Sequence, residues 1–468
     1  MRGAKIVCTM GPSTLAEGVI ERLVEEGMDC ARLNFSHGEQ AGHLATAQRV
    51  RAAAAAVGRH VSILADLQGP KIRVGKFPDG PVDLVDGQEY TLTGDESPCN
   101  GERAWVSYEL LAKDAKPGDL ILLDDGLLAM RVKEVRGGDV VCVVENGGKL
   151  SDRKGVNLPG VKTTLPALTA KDIADLKYAV EVVKVDYLAL SFVRRAADVE
   201  QAKGYAQGTP IIAKLEKPEA LDNLESIVDE ADGIMVARGD LGVELGSEKV
   251  PMAQKRMIRL ANQKRKIVIT ATQMLDSMIR NPRPTRAEAA DVANAVLDGT
   301  DAVMLSGETA SGLFPVESVR MMKSLVLEAE AASDFAVDPR QLARVGGGWE
   351  FTGAAARGAA ILTTALQLDA VVVVTSDGQS AGLLSSYRPR CPIIAITDDE
   401  NAARRLGLRW GVLARVEPPT ANLMGSIELA RGVLAEMFPE RTEGAFALVT
   451  GFPKGSRTNT VTLQTLRE

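Results

Sequence analysis

The run "PIIAKLE" (residues 210–216) begins as a buried strand and ends as something else. Pro210 to Ala213 are apolar. Lys214 and Glu216 sit two apart, so on a strand both point to the same face. An apolar strand seldom ends by aiming an ammonium and a carboxylate at one spot. Seven further short runs resemble it: "KIVCTM" (5–10), "CARLNF" (30–35), "VSILADL" (61–67), "YLALSF" (187–192), "GIMVARGD" (233–240), "IVITATQ" (267–273) and "AVMLSGE" (302–308). All are rich in Val, Ile and Leu, as strands buried on both faces should be. Amphipathic helical patterns lie between most of them, such as "TLAEGVIERLVEEG" (14–27) and "TAKDIADLKYAVEVV" (169–183), and the run "RAAAAAVG" (51–58) reads as a helix tail. Eight strands alternating with helices predict an α/β fold, a (β/α)8 TIM barrel, with an open doubly wound sheet as the alternative.

The spacing has one large break, between Leu67 and Tyr187. Segment 70–164 contains "LILLDDGLLAMRV" and "DVVCVVENGGKL", with Gly-rich turns and no convincing helix. It reads as a small inserted β-barrel domain, placed where barrel sites lie, and therefore as a lid. The helix "PVESVRMMKSLVLEAEAA" (315–332) closes the barrel. After the polar linker "VGGGWE" (345–350), four more apolar runs alternate with helices: 370–378, 391–399, 411–417 and 444–451. They predict a C-terminal α/β domain with a mostly parallel sheet, its last hairpin formed by "ALVTG" and "NTVTLQT". The expected domains are a discontinuous barrel (1–69 and 165–335), the lid (70–164) and the C-terminal domain (345–468).

A net charge of −7 over 468 residues argues against a nucleic-acid-coating surface, while leaving room for a local basic pocket. The five cysteines have no CxxC spacing and read as reduced core thiols of a cytoplasmic protein. Three histidines with no metal-type spacing make a zinc site a poor fit. The N-terminus is too short and polar for a signal peptide, and no run reaches the ~18 apolar residues of a membrane span.

Catalytic groups of a barrel cluster at the C-terminal ends of its strands. Strand two supplies Arg32, Asn34, Ser36 and His37. Strand three supplies Asp66, then Lys71 and Arg73. Strand five supplies Lys214 and Glu216, and strand six Arg238, Gly239 and Asp240. Strands seven and eight supply Thr272 with Gln273, and Ser306 with Glu308. One such residue reads equally well as a satisfied ion pair, but six polar ends do not suit a merely packed barrel, because unpaired buried charges cost several kcal/mol each. Glu216 and Asp240 are hard ligands suited to Mg2+ or Mn2+. Arg32 offers a fork for phosphate oxygens and Lys214 a point charge. Together they fit phosphoryl transfer. "GPKIRVGKF" (69–77) fails as a P-loop, since Phe77 stands where Ser or Thr is required.

The segments "KIVCTMGPST", "ARLNFSHG", "DLQGPKIRVG", "GVNLPG", "VARGDLGVE" and "ATQMLDSMIRNPRPTRAEAADVANAVLDGTDAVMLSGETASG" resemble the pyruvate kinase family from about residue 3 to 335. The resemblance implies phosphoenolpyruvate and ADP as substrates, a lid, a C-terminal α/β domain and a homotetramer. It implies that Arg32 and Lys214 hold the phosphoryl group, and that Glu216 and Asp240 bind the divalent metal. It places Gly239, Asp240 and Thr272 at the substrate carboxylate, and Thr272 and Ser306 near the proton path. Asn34, Phe35, Ser36, His37, Arg73 and Lys154 match nucleotide-contacting positions, and Asn34, Ser36 and Asp66 the monovalent-cation ligands. Potassium-dependent members typically carry Glu at the position of Lys71, so K+ is expected to be unnecessary here. In "TSDGQS" (375–380), Asp377 and Gln379 replace the family's Ser/Thr-rich, basic effector loop. That predicts weak activation by fructose 1,6-bisphosphate and leaves another phosphorylated effector open. The competing readings are a metal-dependent barrel lyase acting on a 2-oxo acid enolate, and a catalytically dead metabolite sensor.

Overall fold

The computed structural model describes residues 2–332, 342, 345–453 and 455–467. Eight strands close a barrel: Lys5–Thr9, Cys30–Asn34, Ser62–Asp66, Tyr187–Leu190, Ile211–Leu215, Gly233–Ala237, Ile267–Ala271 and Ala302–Leu305, here β1 to β8. Each pairs in parallel with its neighbour in sequence, and β1 closes onto β8 through Lys5–Ala302 to Cys8–Leu305. Inner side chains such as Leu64, Ile212, Met235, Ile269 and Met304 fill the interior, while outer ones such as Ile63, Ile211 and Val268 pack under the helices. Burial on both faces explains the unbroken apolar runs. Leu408, from the C-terminal part of the chain, joins the interior cluster and plugs the barrel floor.

The apolar runs overshoot the strands at their C-terminal ends. Arg238, Gly239 and Asp240 do not end β6 but form the first turn of a helix, Arg238–Leu245. Asp240 therefore sits where the helix dipole favours a carboxylate. Likewise Glu308 lies in the first turn of the helix Gly307–Ala310.

Between β3 and β4 the chain builds a second sheet of seven strands, within residues 72–157. Its long antiparallel pair is Leu128–Arg136 with Asp139–Asn146. Its two edges meet at an antiparallel bridge, Val74–Val106, so the sheet curls into a small barrel around Tyr90, Leu92, Met130 and Val140. A one-turn helix, Leu111–Asp114, interrupts it, against the expectation of an all-β segment.

The C-terminal sheet has five strands: Ala370–Val374, Ile393–Thr397, Val412–Val416, Ala445–Thr450 and Thr460–Thr465, here β9 to β13. Their order is β11-β10-β9-β12-β13, parallel except for the final β12–β13 hairpin. Buried polar contacts fasten this unit to the barrel floor. Lys5 donates to the Val412 carbonyl at 2.6 Å, and burial pushes its ammonium down to about 8. Arg388 donates to the Gly299 carbonyl at 2.6 Å and pairs with Asp301 at 3.0 Å. Arg404 pairs with Asp186 at 3.1 Å.

Among the described residues, no helix is long and apolar enough to cross a membrane. All five cysteines are buried and free.

Candidate active site

The mouth of the barrel is organised around Asp66, the last residue of β3, which is 1% exposed. Arg32 from β2 donates Nε to Asp66 Oδ2 at 2.6 Å and Nη1 to Thr9 Oγ1 at 3.0 Å. Lys214 from β5 places Nζ 3.1 Å from Asp66 Oδ1, 3.0 Å from Glu216 Oε1 and 2.7 Å from Ser191 Oγ. The Ser191 hydroxyl in turn donates to the Leu67 carbonyl at 2.7 Å. Burial disfavours the Asp66 charge, but Lys214 and Arg32 outweigh it and hold the carboxyl below its usual range. Burial likewise works against the Lys214 charge, and Asp66 and Glu216 reverse it, so the ammonium is held above its ordinary value.

Glu216 is 2% exposed, and its Oε2 accepts from the Phe192 amide at 2.8 Å. Burial raises its carboxyl, and the neighbouring Asp240 carboxylate raises it further. A buried carboxylate facing a second, partly exposed one is a donor pair whose repulsion a hard divalent cation relieves. Lys217, one residue on, pairs with buried Glu244 at 2.5 Å, and Glu244 also accepts from Asn157 of the inserted sheet at 2.8 Å. One carboxylate thus links the two metal-type side chains' segments to the base of the lid.

Thr272 follows β7 with φ 68°, and Gln273 with φ 53°. A β-branched residue in the left-handed region is strained and persists only where its surroundings hold it. Arg238 supplies much of that hold. Its Nη2 donates to the Thr272 carbonyl at 2.7 Å, its Nε to the Ala271 carbonyl at 3.2 Å, and its Nη1 pairs with Asp291 at 2.6 Å. The result brings Thr272 Oγ1 to the Gly239 amide, 2.8 Å away. Ser306 Oγ is buried without a hydrogen-bond partner. The Ser306 amide donates to Glu308 Oε2 at 2.7 Å, and burial raises the Glu308 carboxyl.

The remaining expected residues form an outer ring. Phe35 stacks on His43, centroids 4.2 Å apart, and its carbonyl accepts from Lys171 at 2.8 Å. Asn34 Oδ1 accepts from the Ser36 amide at 3.2 Å. Burial and the cations Arg73, Arg32 and Lys71 hold His37 below its usual range, which places it in their field. Arg73 lies on the inserted sheet, and Lys154 just before its strand Gly155–Asn157. Arg73 donates to the Arg153 carbonyl at 3.0 Å, and Lys154 pairs with Asp124 at 2.9 Å. Lys71 pairs with Asp240 at 2.9 Å and lies 3.9 Å from Asp125. Its ammonium is thus set on a metal-type carboxylate, whereas Asp66 is engaged by Arg32 and Lys214.

Two site residues escaped the sequence reading, Thr9 and Ser191. Both stand at the mouth ends of β1 and β4, whose apolar runs carry no charge there. Applying the same rule to them finds both hydroxyls.

A family model described as pyruvate kinase, barrel domain, matches residues 1–319, and one described as pyruvate kinase, alpha/beta domain, matches residues 353–464. The pyruvate kinase of Mycobacterium intracellulare is 45% identical over 459 residues, covering 97% of this chain and 96% of that one. That of Sporosarcina psychrophila is 47% identical over 421 residues, covering 88% and 71%. That of Clostridium perfringens is 43% identical over 460 residues, covering 97% of each. With the closed barrel, the strand-end carboxylates and cations, and full-length similarity of this depth, the chain belongs to the pyruvate kinase family, the glycolytic phosphotransferases that make pyruvate and ATP from phosphoenolpyruvate and ADP.

Proposed function

We propose that the mouth of the barrel divides the transfer of phosphoryl from phosphoenolpyruvate to ADP as follows. Arg32 grips the phosphoryl group. Hydrogen bonds to the Asp66 carboxylate and the Thr9 hydroxyl fix its plane and leave guanidinium N–H groups for phosphate oxygens. Lys214 sits between Asp66 and Glu216 and stabilises the moving group. The observation that carries the reading is this sharing of Asp66 by two cations that reach it from β2 and β5, on either side of β3, with a buried metal-type carboxylate beside them. Glu216 and Asp240 would hold Mg2+ or Mn2+, whose charge would offset that of the substrate phosphoryl group. The Gly239 and Asp240 amides and Thr272 bind the substrate carboxylate, and Thr272 and Ser306 line the proton path to the enolate. Asn34, Phe35, Ser36, His37, Arg73 and Lys154 meet the nucleotide as the lid comes down. Arg32→Lys keeps a charge but removes the fork. It is expected to lower kcat/KM for phosphoenolpyruvate by ~10-fold or more, with little change in KM for ADP. Equal losses for both substrates count against the assignment.

The same reading includes a barrel over 1–69 and 165–335, a lid over 70–164 and a C-terminal domain over 345–468; the limits at 1, 335 and 468 lie outside the described residues. It includes a cytoplasmic location and a homotetramer. Exposed Phe351 and Ile361 on the helix Glu350–Leu366, beside the outer strand β13, support association.

Regulation through the loop 375–380 is expected to depart from the sugar-bisphosphate pattern. The Gly378 amide donates to Thr375 Oγ1 at 3.1 Å and the Gln379 amide to Asp377 Oδ1 at 2.9 Å. Amides that a phosphate needs are therefore engaged, one by a carboxylate that repels a dianion. Titrating fructose 1,6-bisphosphate at sub-saturating phosphoenolpyruvate should leave the half-saturation unchanged. A severalfold fall would show that the loop binds the bisphosphate.

A further inference from the structure

The two metal-type carboxylates stand beyond the end of the sheet that carries them. The ladder between β5 and β6 runs to Leu215–Val236. Glu216 follows on the strand exit, and Asp240 in the first turn of the helix Arg238–Leu245. Like charges brought together push apart, so a contact past the ladder has to hold the two segments at one spacing. We propose that Glu244 is that positioning residue: through Lys217 it fixes Asp240 against Glu216, and through Asn157 it makes divalent-cation affinity depend on how the inserted sheet is seated. The proposal rests on the reading of Glu216 and Asp240 as the metal pair.

Glu244 lies four residues after Asp240, on the same face of the helix. Its side chain is 1% exposed. Its Oε1 accepts from Lys217 Nζ at 2.5 Å and from Asn157 Nδ2 at 2.8 Å. Lys217 is the residue after Glu216, and its Nζ stands over the Phe192 ring, 6.0 Å from the centroid. The Phe192 amide is the group that holds Glu216 Oε2 at 2.8 Å. Phe192 itself has φ 56°, a left-handed conformation that persists only where its surroundings hold it. The Lys217–Glu244 pair therefore closes a ring that runs from Glu216 through Lys217 and Glu244 to Asp240. On the other side, Asn157 ends the strand Gly155–Asn157, and its Oδ1 is buried without a partner, so the bond to Glu244 is what orients the amide. The turn at Gly126 of the inserted sheet rests on the same helix, since a Cβ there would meet Val243 Cγ1 at 3.7 Å.

Stability does not account for this glutamate. A carboxylate in the last turn of a helix opposes the macrodipole. A buried ion pair is often matched or bettered by apolar residues of the same volume. What the pair does supply is a fixed distance between two segments that each carry a metal-type carboxylate. Groups that orient metal ligands without touching the metal change its affinity by roughly 10- to 100-fold when removed.

Titration of the full chain with Mn2+, followed by electron paramagnetic resonance, reads the metal site without turnover. Glu216→Gln should remove tight binding. Glu244→Gln keeps the shape and the acceptor for Asn157, and should weaken Mn2+ binding by ~10-fold or more. Asn157→Ala should weaken it by ~3-fold, the loss of one hydrogen bond from a neutral donor. Lys217→Met/Glu244→Gln leaves no charge buried alone, so it should melt near the wild type and still bind Mn2+ ~10-fold more weakly; it carries the test where a single variant fails to fold in a thermal scan. Arg404→Gln breaks the buried pair with Asp186 at the barrel floor, and should lower the melting temperature while leaving Mn2+ affinity unchanged. Wild-type affinity in Glu244→Gln and in the double variant, with binding lost in Glu216→Gln, overturns the positioning role and leaves the metal pair standing. Wild-type affinity in Glu216→Gln removes the metal pair and the proposal with it. An equal loss in Arg404→Gln also overturns the proposal, since general loosening would then be the cause.

Discussion

Replacing Lys214 with methionine is expected to lower kcat by ~10²-fold or more, the scale of losing one preorganised charge in a dry site. The ammonium lies within hydrogen-bond reach of Asp66, Glu216 and Ser191, so its position is fixed before substrate arrives. A group so held costs no reorganisation when charge redistributes over the phosphoryl oxygens. Methionine preserves much of the stem's volume and removes only the charge. Mn2+ affinity should survive or rise, because Lys214 and the metal compete for Glu216. KM for phosphoenolpyruvate should change much less than kcat, since Arg32 remains on Asp66 and Thr9. Steady-state kinetics with Mn2+ binding followed by electron paramagnetic resonance separate these effects. A near-normal kcat would remove Lys214 from the chemistry.

The second large effect concerns Lys71. The wild-type enzyme should retain substantial activity with no K+, and Lys71→Glu should lose most of it until K+ is added. In the structure the ammonium stands 2.9 Å from Asp240 and 3.9 Å from Asp125, in a turn between two strands of the inserted sheet. It brings a fixed unit of positive charge to the edge of the proposed metal site. A glutamate there would instead face Asp240 with a like charge, which costs energy and attracts a monovalent cation. Assays in tetramethylammonium salt at constant ionic strength, with and without K+, read this out directly. If the wild-type chain is nearly inactive there, the lysine does not replace the cation.

The fold was legible because every barrel strand is buried on both faces and so reads as a short apolar run. Strand ends were less legible. In "GIMVARGD" the apolar stretch ends at Ala237 and helix geometry takes over at Arg238, a change of backbone that hydropathy does not distinguish from a polar strand end. Lys214 and Glu216 announced themselves because charges at the end of an apolar strand are costly. Thr9 and Ser191 lie at the ends of "KIVCTM" and "YLALSF", runs with no charge at the mouth end to mark them, although the strand-end rule that finds Thr272 and Ser306 reaches them too. The Lys71–Asp240 pair and the Leu408 plug join residues 169 positions apart or different folding units, and local pattern has no access to such contacts. The one-turn helix Leu111–Asp114 is too short for periodicity to reveal.

The central claim is that the barrel mouth moves a phosphoryl group from an enol to a nucleotide, held by Glu216, Asp240, Arg32 and Lys214. Its most direct test is pyruvate formation from phosphoenolpyruvate, coupled to lactate dehydrogenase, with ADP and divalent cation each omitted in turn. The account predicts NADH consumption only when phosphoenolpyruvate, ADP and Mg2+ or Mn2+ are all present, with ATP appearing in equal amount. Pyruvate release that proceeds without ADP, or none with all three present, would contradict it.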